Sequence, residues 1–415
     1  MKTIVRCVLA AMLSLAATPV IAQGPPPHLP ASVLAEDVDA ARQGYLQANV
    51  VADGPVAGGL RFSFPASFYE GRLFLVGESH GSAAPQVFDF ELLRHLNERI
   101  GLADYVAEID PVQAVHFNRF LDRGDEAQLS RVFDLWNTGS QWANVAFEDK
   151  LRAMREFNLS LPQARRVRIH GLDAIQDWPL LSQWLDERGA APEATAWRAA
   201  QGGAARARLA ADALARVADS AEDRYLLAAL EAIAGGADRE AVIVSNYRHL
   251  VTEGALQRRP AQGLWGAFHV LQARINGAAP FAAQAVAAEL PVAGGVRSLL
   301  LLGLDSAVQF PVPLPDGLRR VRFLDGNIDG PTVKVAGSAT LRAASQPARM
   351  TVFALDTPDS PYRQGDHFVA LQTSMGAPFV PEAGRATTDY LQYIGVYRDS
   401  DWAAPRAGAG EILLP

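Results

Sequence analysis

Residues Leu73-Phe74-Leu75-Val76-Gly77-Glu78-Ser79-His80-Gly81 decide how the rest of the chain is read. Leu73 to Val76 is an apolar run without alternation, the pattern of a short strand covered on both faces. Polar groups follow at once, then the small residues Ser82-Ala83-Ala84, then Pro85. From Pro85 to Ile100 the apolar residues Phe88, Leu92, Leu93, Leu96 and Ile100 fall at helical spacing, and Gly101 closes the segment. The same alternation recurs downstream. Tyr105–Ile109 reads as a strand, and Pro111–Asp122 as a helix opened by Asp110, with Gln113 placed to complete a capping box. Helical patterning covers 125–136 and 145–158, and Arg166–His170 makes a third strand. After a compositional break the pattern resumes with a helix over Asp238–Glu253 and strands at Leu264–Phe268 and Ser298–Leu302. The spacing predicts an α/β fold, doubly wound, with a mostly parallel sheet and helices on both faces.

The core assigned in this way runs over 61–310. It is interrupted at 179–236, where alanine and arginine dominate, strands disappear, and Gly202-Gly203 and Gly235-Gly236 punctuate the segment. Leu226, Leu230 and Ile233 keep helical spacing there, so the segment reads as a helical insertion able to act as a lid. Residues 311–415 are rich in Pro, Gly and short β-like runs such as Met350–Ala354 and Tyr390–Val396, which predicts a β-rich C-terminal part of antiparallel strands and long loops. Upstream, Lys2 and Arg6 precede a short apolar run from Cys7 to Ala17, and Val20-Ile21-Ala22 supplies small residues. These features predict a signal peptide over 1–22, cleavage after Ala22, and a periplasmic or secreted protein. Residues 23–60, opening Gly24-Pro25-Pro26-Pro27, read as a tether and an N-terminal helix.

The bulk numbers narrow the chemistry. A formal charge of -7 over 415 residues argues against the basic face that nucleic acid needs. No stretch after the signal approaches the ~20 apolar residues of a membrane span, so the expected partner is a small-molecule substrate. Cys7 is the one cysteine and lies in the signal, which removes disulfides, Cys–zinc sites and a cysteine nucleophile from consideration.

In open α/β sheets reactive groups gather where strands end. Glu78, Ser79 and His80 follow the first core strand, Glu108 and Asp110 close the second, Asp173 follows the third, and His269 closes the strand at 264–268. Two carboxylates beside two imidazoles suit hydrolysis by an activated water: the imidazole takes the proton, one carboxylate orients it, and another orients the water or protonates the leaving group. His80 is the expected base, with Glu78 and Glu108 as orienting and acid partners. Arg239, in the first turn of a helix capped by Asp238, shares a face with Asn246 and points that helix at the site. Asp110 reads as a helix cap, and His95, His116, His170 and His249 as structural.

The order of short motifs resembles the erythromycin esterase family. Phe74 to Gly81 with the downstream Ala107-Glu108 is similar to its first motif. Arg155-Glu156-Phe157-Asn158, Gly171-Leu172-Asp173, Arg239-Glu240 with Asn246, and Trp265-Gly266-Ala267-Phe268-His269 follow in the family's order from about 70 to 275. The resemblance implies ester or lactone hydrolysis with Glu78, His80, Glu108 and His269 as the catalytic group and Arg239 in support. Arg239, Asn246, Asp173 and Ser79 are the expected substrate-binding positions, and no cofactor is expected unless the site holds a divalent metal. Two departures stand out: the Glu78–His80 spacing is one residue shorter than in the family, and one late histidine stands where the family has two. The shorter spacing resembles the haem-uptake (ChaN-like) and Tiki-like branch of the same superfamily.

Three other readings stay open on sequence. Glu78, His80, Glu108 and His269 are proper ligands for a divalent metal, as the Tiki-like relatives imply. Gly77-Glu78-Ser79-His80-Gly81 also fits the nucleophile elbow of an α/β-hydrolase, with Ser79 as nucleophile. A periplasmic binder of haem or another small molecule could use the same crevice, lined by Tyr105, Trp136 and Trp142.

Overall fold

A computed structural model describes residues 37–413 apart from 138–139, 257–258, 291–294, 315–316, 325, 366, 374–376 and 407–409. The signal peptide, its Cys7 and the Gly24-Pro25-Pro26-Pro27 tether lie outside the described residues. The apolar run at Leu73 becomes β3 (Leu73–Glu78), the sixth strand of a nine-stranded sheet ordered β2 (Arg61–Phe62), β1 (Val50–Pro55), β11 (Arg349–Ala354), β13 (Tyr393–Arg398), β7 (Val296–Leu304), β3, β6 (Ala261–Gly266), β4 (Asp104–Ala107) and β5 (Arg168–Gly171). Its side chains alternate between two cores: Phe74 and Val76 face one, Leu73 and Leu75 the other. That division is why the strand is apolar throughout, and why helices cover both faces of the sheet.

On the first face lie α2 (Ala84–Ile100), α3 (Pro111–Arg123), α4 (Glu126–Trp136) and α5 (Val145–Ser160). α2 buries Phe88, Leu92, Leu93 and Leu96, each contributing about 1.5–3 kcal/mol of apolar burial. It ends on Gly101 in the left-handed conformation. Asp110 forms the expected capping box with Gln113 at the start of α3. On the other face α10 (Arg239–Thr252) and α11 (Phe281–Ala287) pack through Ile243, Tyr247 and Phe281.

Six neighbours, β13 (Tyr393–Arg398), β7 (Val296–Leu304), β3, β6 (Ala261–Gly266), β4 (Asp104–Ala107) and β5 (Arg168–Gly171), run parallel. The 179–236 stretch carries helices α6 (Trp178–Glu187), α7 (Ala194–Ala199), α8 (Gly202–Leu214) and α9 (Ala221–Ala234). No helix among the described residues is long and apolar enough to cross a membrane.

The N-terminal expectation needs correction, and the expected β-rich C-terminal part is present with one addition. The N-terminal helix forms as α1 (Ala40–Ala48), capped by Asp39, but β1 (Val50–Pro55) and β2 (Arg61–Phe62) follow it and join the main sheet. The C-terminal part does more than add separate antiparallel strands. β11 (Arg349–Ala354) pairs antiparallel with β1, whereas β13 runs parallel beside β7 inside the main sheet. The remaining C-terminal strands form small sheets: β8 (Val308–Leu314), β9 (Gly317–Phe323) and β14 (Gly410–Leu413) in one, β10 (Val333–Val335) and β12 (Leu371–Thr373) in the other.

Candidate active site

Parallel pairing brings the carboxyl ends of β3, β6, β4 and β5 side by side. From β3 the chain steps outward to β4 and β5, returns through β6, then crosses to β7 on the opposite flank. The reversal opens a crevice beyond the strand ends, where such sheets bind ligands.

Glu78 is the last residue of β3 and is 2 % exposed. Its Oε1 accepts from His80 Nδ1 at 3.0 Å and from Gln86 Nε2 at 3.4 Å. Gly81, next in the chain, adopts φ +106, a conformation that favours glycine. A Cβ at Gly81 would also meet Gln309 O at 2.5 Å. The loop is bracketed from outside: Gly81 O accepts from the backbone amides of Gln309 and Ala403, each at 2.7 Å. Ser82 Oγ donates to Ala307 O, and Ala84 N to Ser400 Oγ. The Trp142 ring meets the imidazole edge-on, with centroids 4.1 Å apart.

With Nδ1–H given to Glu78, His80 Nε2 carries the lone pair. It faces Glu108 Oε2 at 4.0 Å. Gly266 ends β6 beside it, where a Cβ would come within 3.1 Å of that nitrogen. Gly266 N donates to Glu108 Oε2 at 2.6 Å. Burial opposes ionisation of Glu108, but the charge and hydrogen bond of His269, with the charge of Arg239, outweigh it and hold the carboxyl well below its usual range. The acid role expected for Glu108 does not suit a group held ionised.

Arg239 opens α10 and forks onto Asp173, Nε to Oδ1 at 2.9 Å and Nη2 to Oδ2 at 2.6 Å. Nη2 also donates to Glu108 Oε1 at 2.8 Å. Burial would lower its pKa, yet Asp173 and Glu108 raise it above the usual arginine range. His269 sits between two carboxylates. Its Nε2 is 3.2 Å from Glu108 Oε1 and its Nδ1 is 2.8 Å from Glu240 Oε1. Burial pulls its pKa down, but Glu108 and Glu240 push it up to about 10, so it is an imidazolium at neutral pH. Arg239 Nη1 lies 3.4 Å from His269 Nε2. Both are then donors, so the approach is proximity and not a bond.

The crevice therefore brings together Glu78, His80, Glu108, Asp173, Arg239 and His269. Ser79 and Asn246 stand apart. Ser79 is exposed, and α2 begins at Ala84 rather than at the serine, so the nucleophile elbow is not formed. Asn246 is buried and donates to Leu172 O at 2.8 Å, bracing the loop that carries Asp173. Arg155 and Asn158 are likewise braces, donating to Leu121 O and Val167 O. Of the expected aromatic lining, Trp142 reaches His80, Trp136 is buried among Phe117, Phe133 and Phe147, and Tyr105 bonds to Asp89.

Glu240 and Gln86 were not expected at the site. Glu240 follows Arg239 directly, but only the rotation of α10 about its axis decides which first-turn side chains face inward. Gln86 was masked by its place in an apolar helix.

As ligands for a divalent ion these residues fit poorly. Both oxygens of Glu108 accept from donors, and a guanidinium stands 3.4 Å from His269 Nε2. Among the described residues no group of three or more His, Asp or Glu has a metal-holding arrangement.

No protein-family model matches the chain, and no curated protein matches its sequence. Solved structures do match. An erythromycin esterase mutant in its open conformation superposes with TM-score 0.53 at 14% identity, over 80% of this chain and 91% of that one. The fold is one this chain shares with an erythromycin esterase. A Bacillus cereus protein (TM-score 0.57, 12% identity) and a succinoglycan biosynthesis protein (0.59, 10%) each match over 88% of this chain and 98% of their own.

Proposed function

We propose that the protein is an exported hydrolase that cleaves an ester or lactone with a water activated by His80. The observation that carries this reading is the geometry of His80. Its Nδ1 is fixed by Glu78 at 3.0 Å, and its Nε2 lone pair is aimed across 4.0 Å at an ionised Glu108. A gap of that width is too long for a direct hydrogen bond but admits a water that donates to both. His80 Nε2 takes one proton as the water oxygen attacks the carbonyl carbon, and Glu78 stabilises the imidazolium that forms. The carbonyl oxygen gains the negative charge. Arg239, whose Nη1 is not given to a carboxylate, supplies the fixed positive charge to receive it. Collapse of the tetrahedral species breaks the ester C–O bond, and the proton on His80 passes to the departing alcohol. The His80 geometry supports the activation of water, and the choice of an ester or lactone as substrate is supported by the fold shared with an erythromycin esterase.

The test is a screen of the exported protein against a panel of esters and lactones, with and without chelator. Hydrolysis should survive the chelator and disappear in folded His80→Ala, falling on the order of 10²–10⁴-fold. Undiminished turnover by that variant would overturn the mechanism. N-terminal sequencing of the exported protein should begin at Gln23; an intact Met1 would overturn the export reading.

A further inference from the structure

His80 has one close polar tether. Its Nδ1 is held by Glu78 at 3.0 Å, and a single hydrogen bond fixes one point of the ring but not its plane. The outer torsion of histidine is soft and roughly two-fold, so the imidazole could turn over and point Nε2 away from Glu108. Two groups lie against it. At Gly266 a Cβ would stand 3.1 Å from Nε2 and 3.4 Å from Cε1. The other group is Trp142, with ring centroids 4.1 Å apart and planes crossed at 67°. Aromatic pairs usually sit ~4.5–7 Å apart, so the indole touches the imidazole and leaves it no space to turn.

Trp142 is half-buried, and the backbone on either side sets its place. Its N–H donates to Ser140 Oγ at 3.1 Å, and its carbonyl accepts from Asn144 N at 2.8 Å. Ala143 O accepts from Arg406 N, and Val145 N donates to Ala404 O. Ala403 N, from the same C-terminal segment, donates to Gly81 O, so one stretch of backbone ties the Trp142 turn to the His80 turn. Ser140 O accepts from Arg320 Nη2 at 2.7 Å, and the same nitrogen donates to Trp136 O at 3.2 Å. Arg320 is 0 % exposed, and its Nε and Nη1 have no hydrogen-bond partner. Burying a guanidinium is costly unless its donors are used. Here they are used on two carbonyls, one of which fixes Ser140.

We propose that Trp142 is a positioning residue for His80: the indole blocks rotation of the imidazole and keeps Nε2 on Glu108, and Arg320 holds the indole in place through Ser140. The inference rests on the reading of His80 as the base. A Trp142 that only packed would stabilise the fold without deciding which way the imidazole faces.

Nitrogen NMR of the histidine side chains in the whole protein reads the ring directly, without turnover. The chain has 8 histidines, and His80→Ala identifies the signals of His80. With His80 neutral, wild type should show Nδ1 protonated and Nε2 bare in one fixed ring. Trp142→Ala should draw the two nitrogen shifts towards each other, and Trp142→Phe, which keeps an aromatic wall, should hold them apart. On the best ester of the panel, Trp142→Ala should lower kcat about tenfold or more with KM changed less than about twofold, and Trp142→Phe should recover most of the loss. Arg320→Leu should move the nitrogen shifts in the same direction as Trp142→Ala. Unmoved shifts in folded Trp142→Ala overturn the proposal, and unmoved shifts in folded Arg320→Leu overturn the part given to Arg320. If neither variant folds, the same measurement on Ser140→Ala, which removes the acceptor of the Trp142 amide, decides: shifts that stay apart overturn the proposal. A wild type that hydrolyses nothing sinks the hydrolase reading alone, because the nitrogen shifts still report on Trp142.

Discussion

Two charged clusters are buried against the same sheet, and they are built on opposite plans. Around Asp89, charge is matched. Oδ2 accepts from Lys150 and Tyr105, Oδ1 accepts from Gln262, and Lys150 lies over the Phe147 and Tyr105 rings. At the strand ends, three carboxylates (Glu108, Asp173 and Glu240) share Arg239 and the His269 imidazolium, and a fourth, Glu78, holds His80. There Glu78 Oε2 and Glu240 Oε2 are buried without a hydrogen-bond partner. The matched cluster is what a protein uses to hold a helix on a sheet. The mismatched one leaves its potential for something that arrives.

The comparison breaks if the two clusters respond alike to mutation. The largest effect belongs to the matched one. Asp89→Ala strands Lys150 and should cost about 3–5 kcal/mol of stability, read by urea unfolding, with the activity per folded molecule unchanged. A loss of turnover with stability intact would reverse the assignment. Glu108→Gln should act the other way. Hydrolysis should fall on the order of 10²-fold, with the unfolding midpoint little changed only above about pH 10, where the His269 contribution to stability is gone.

The same variant sharpens the contrast through pH. The pKa of His269 is raised on folding from 6.5 to about 10. Its contribution to stability is therefore complete below about 6.5 and is lost as pH climbs through the folded value. Stability measured from neutral to alkaline pH should slope downward over that window in wild type and flatten in Glu108→Gln. Equal slopes would place the coupling elsewhere. Ser79→Ala should do least, within about 0.5 kcal/mol in stability and with kcat/KM unchanged; a large activity loss would revive a serine nucleophile.

How much of this was legible follows from locality. The strands at 73, 105, 168 and 264 are readable because each is an apolar run between loops. The site residues Glu78, Glu108 and His269 are readable because parallel strands end on one side. β1 and β2 carry Asp53-Gly54-Pro55 and Arg61, and their pairing is set by β11, far along the chain. No local pattern announces it. The partnership of β13 with β7 is hidden for the same reason, since register between distant strands is decided by the cores they share. Glu240 is visible as a residue but not as a neighbour of His269. Ion pairing across α10 depends on a rotation that sequence spacing fixes only to within a face.

Every residue proposed for catalysis has been synthesised by position 269, yet the amides that bracket Gly81 come from Gln309 and Ala403. A nascent or truncated chain thus owns the chemistry without the shape. Competence is acquired late, when β13 pairs beside β7 and the loop after it closes over the small-residue turn.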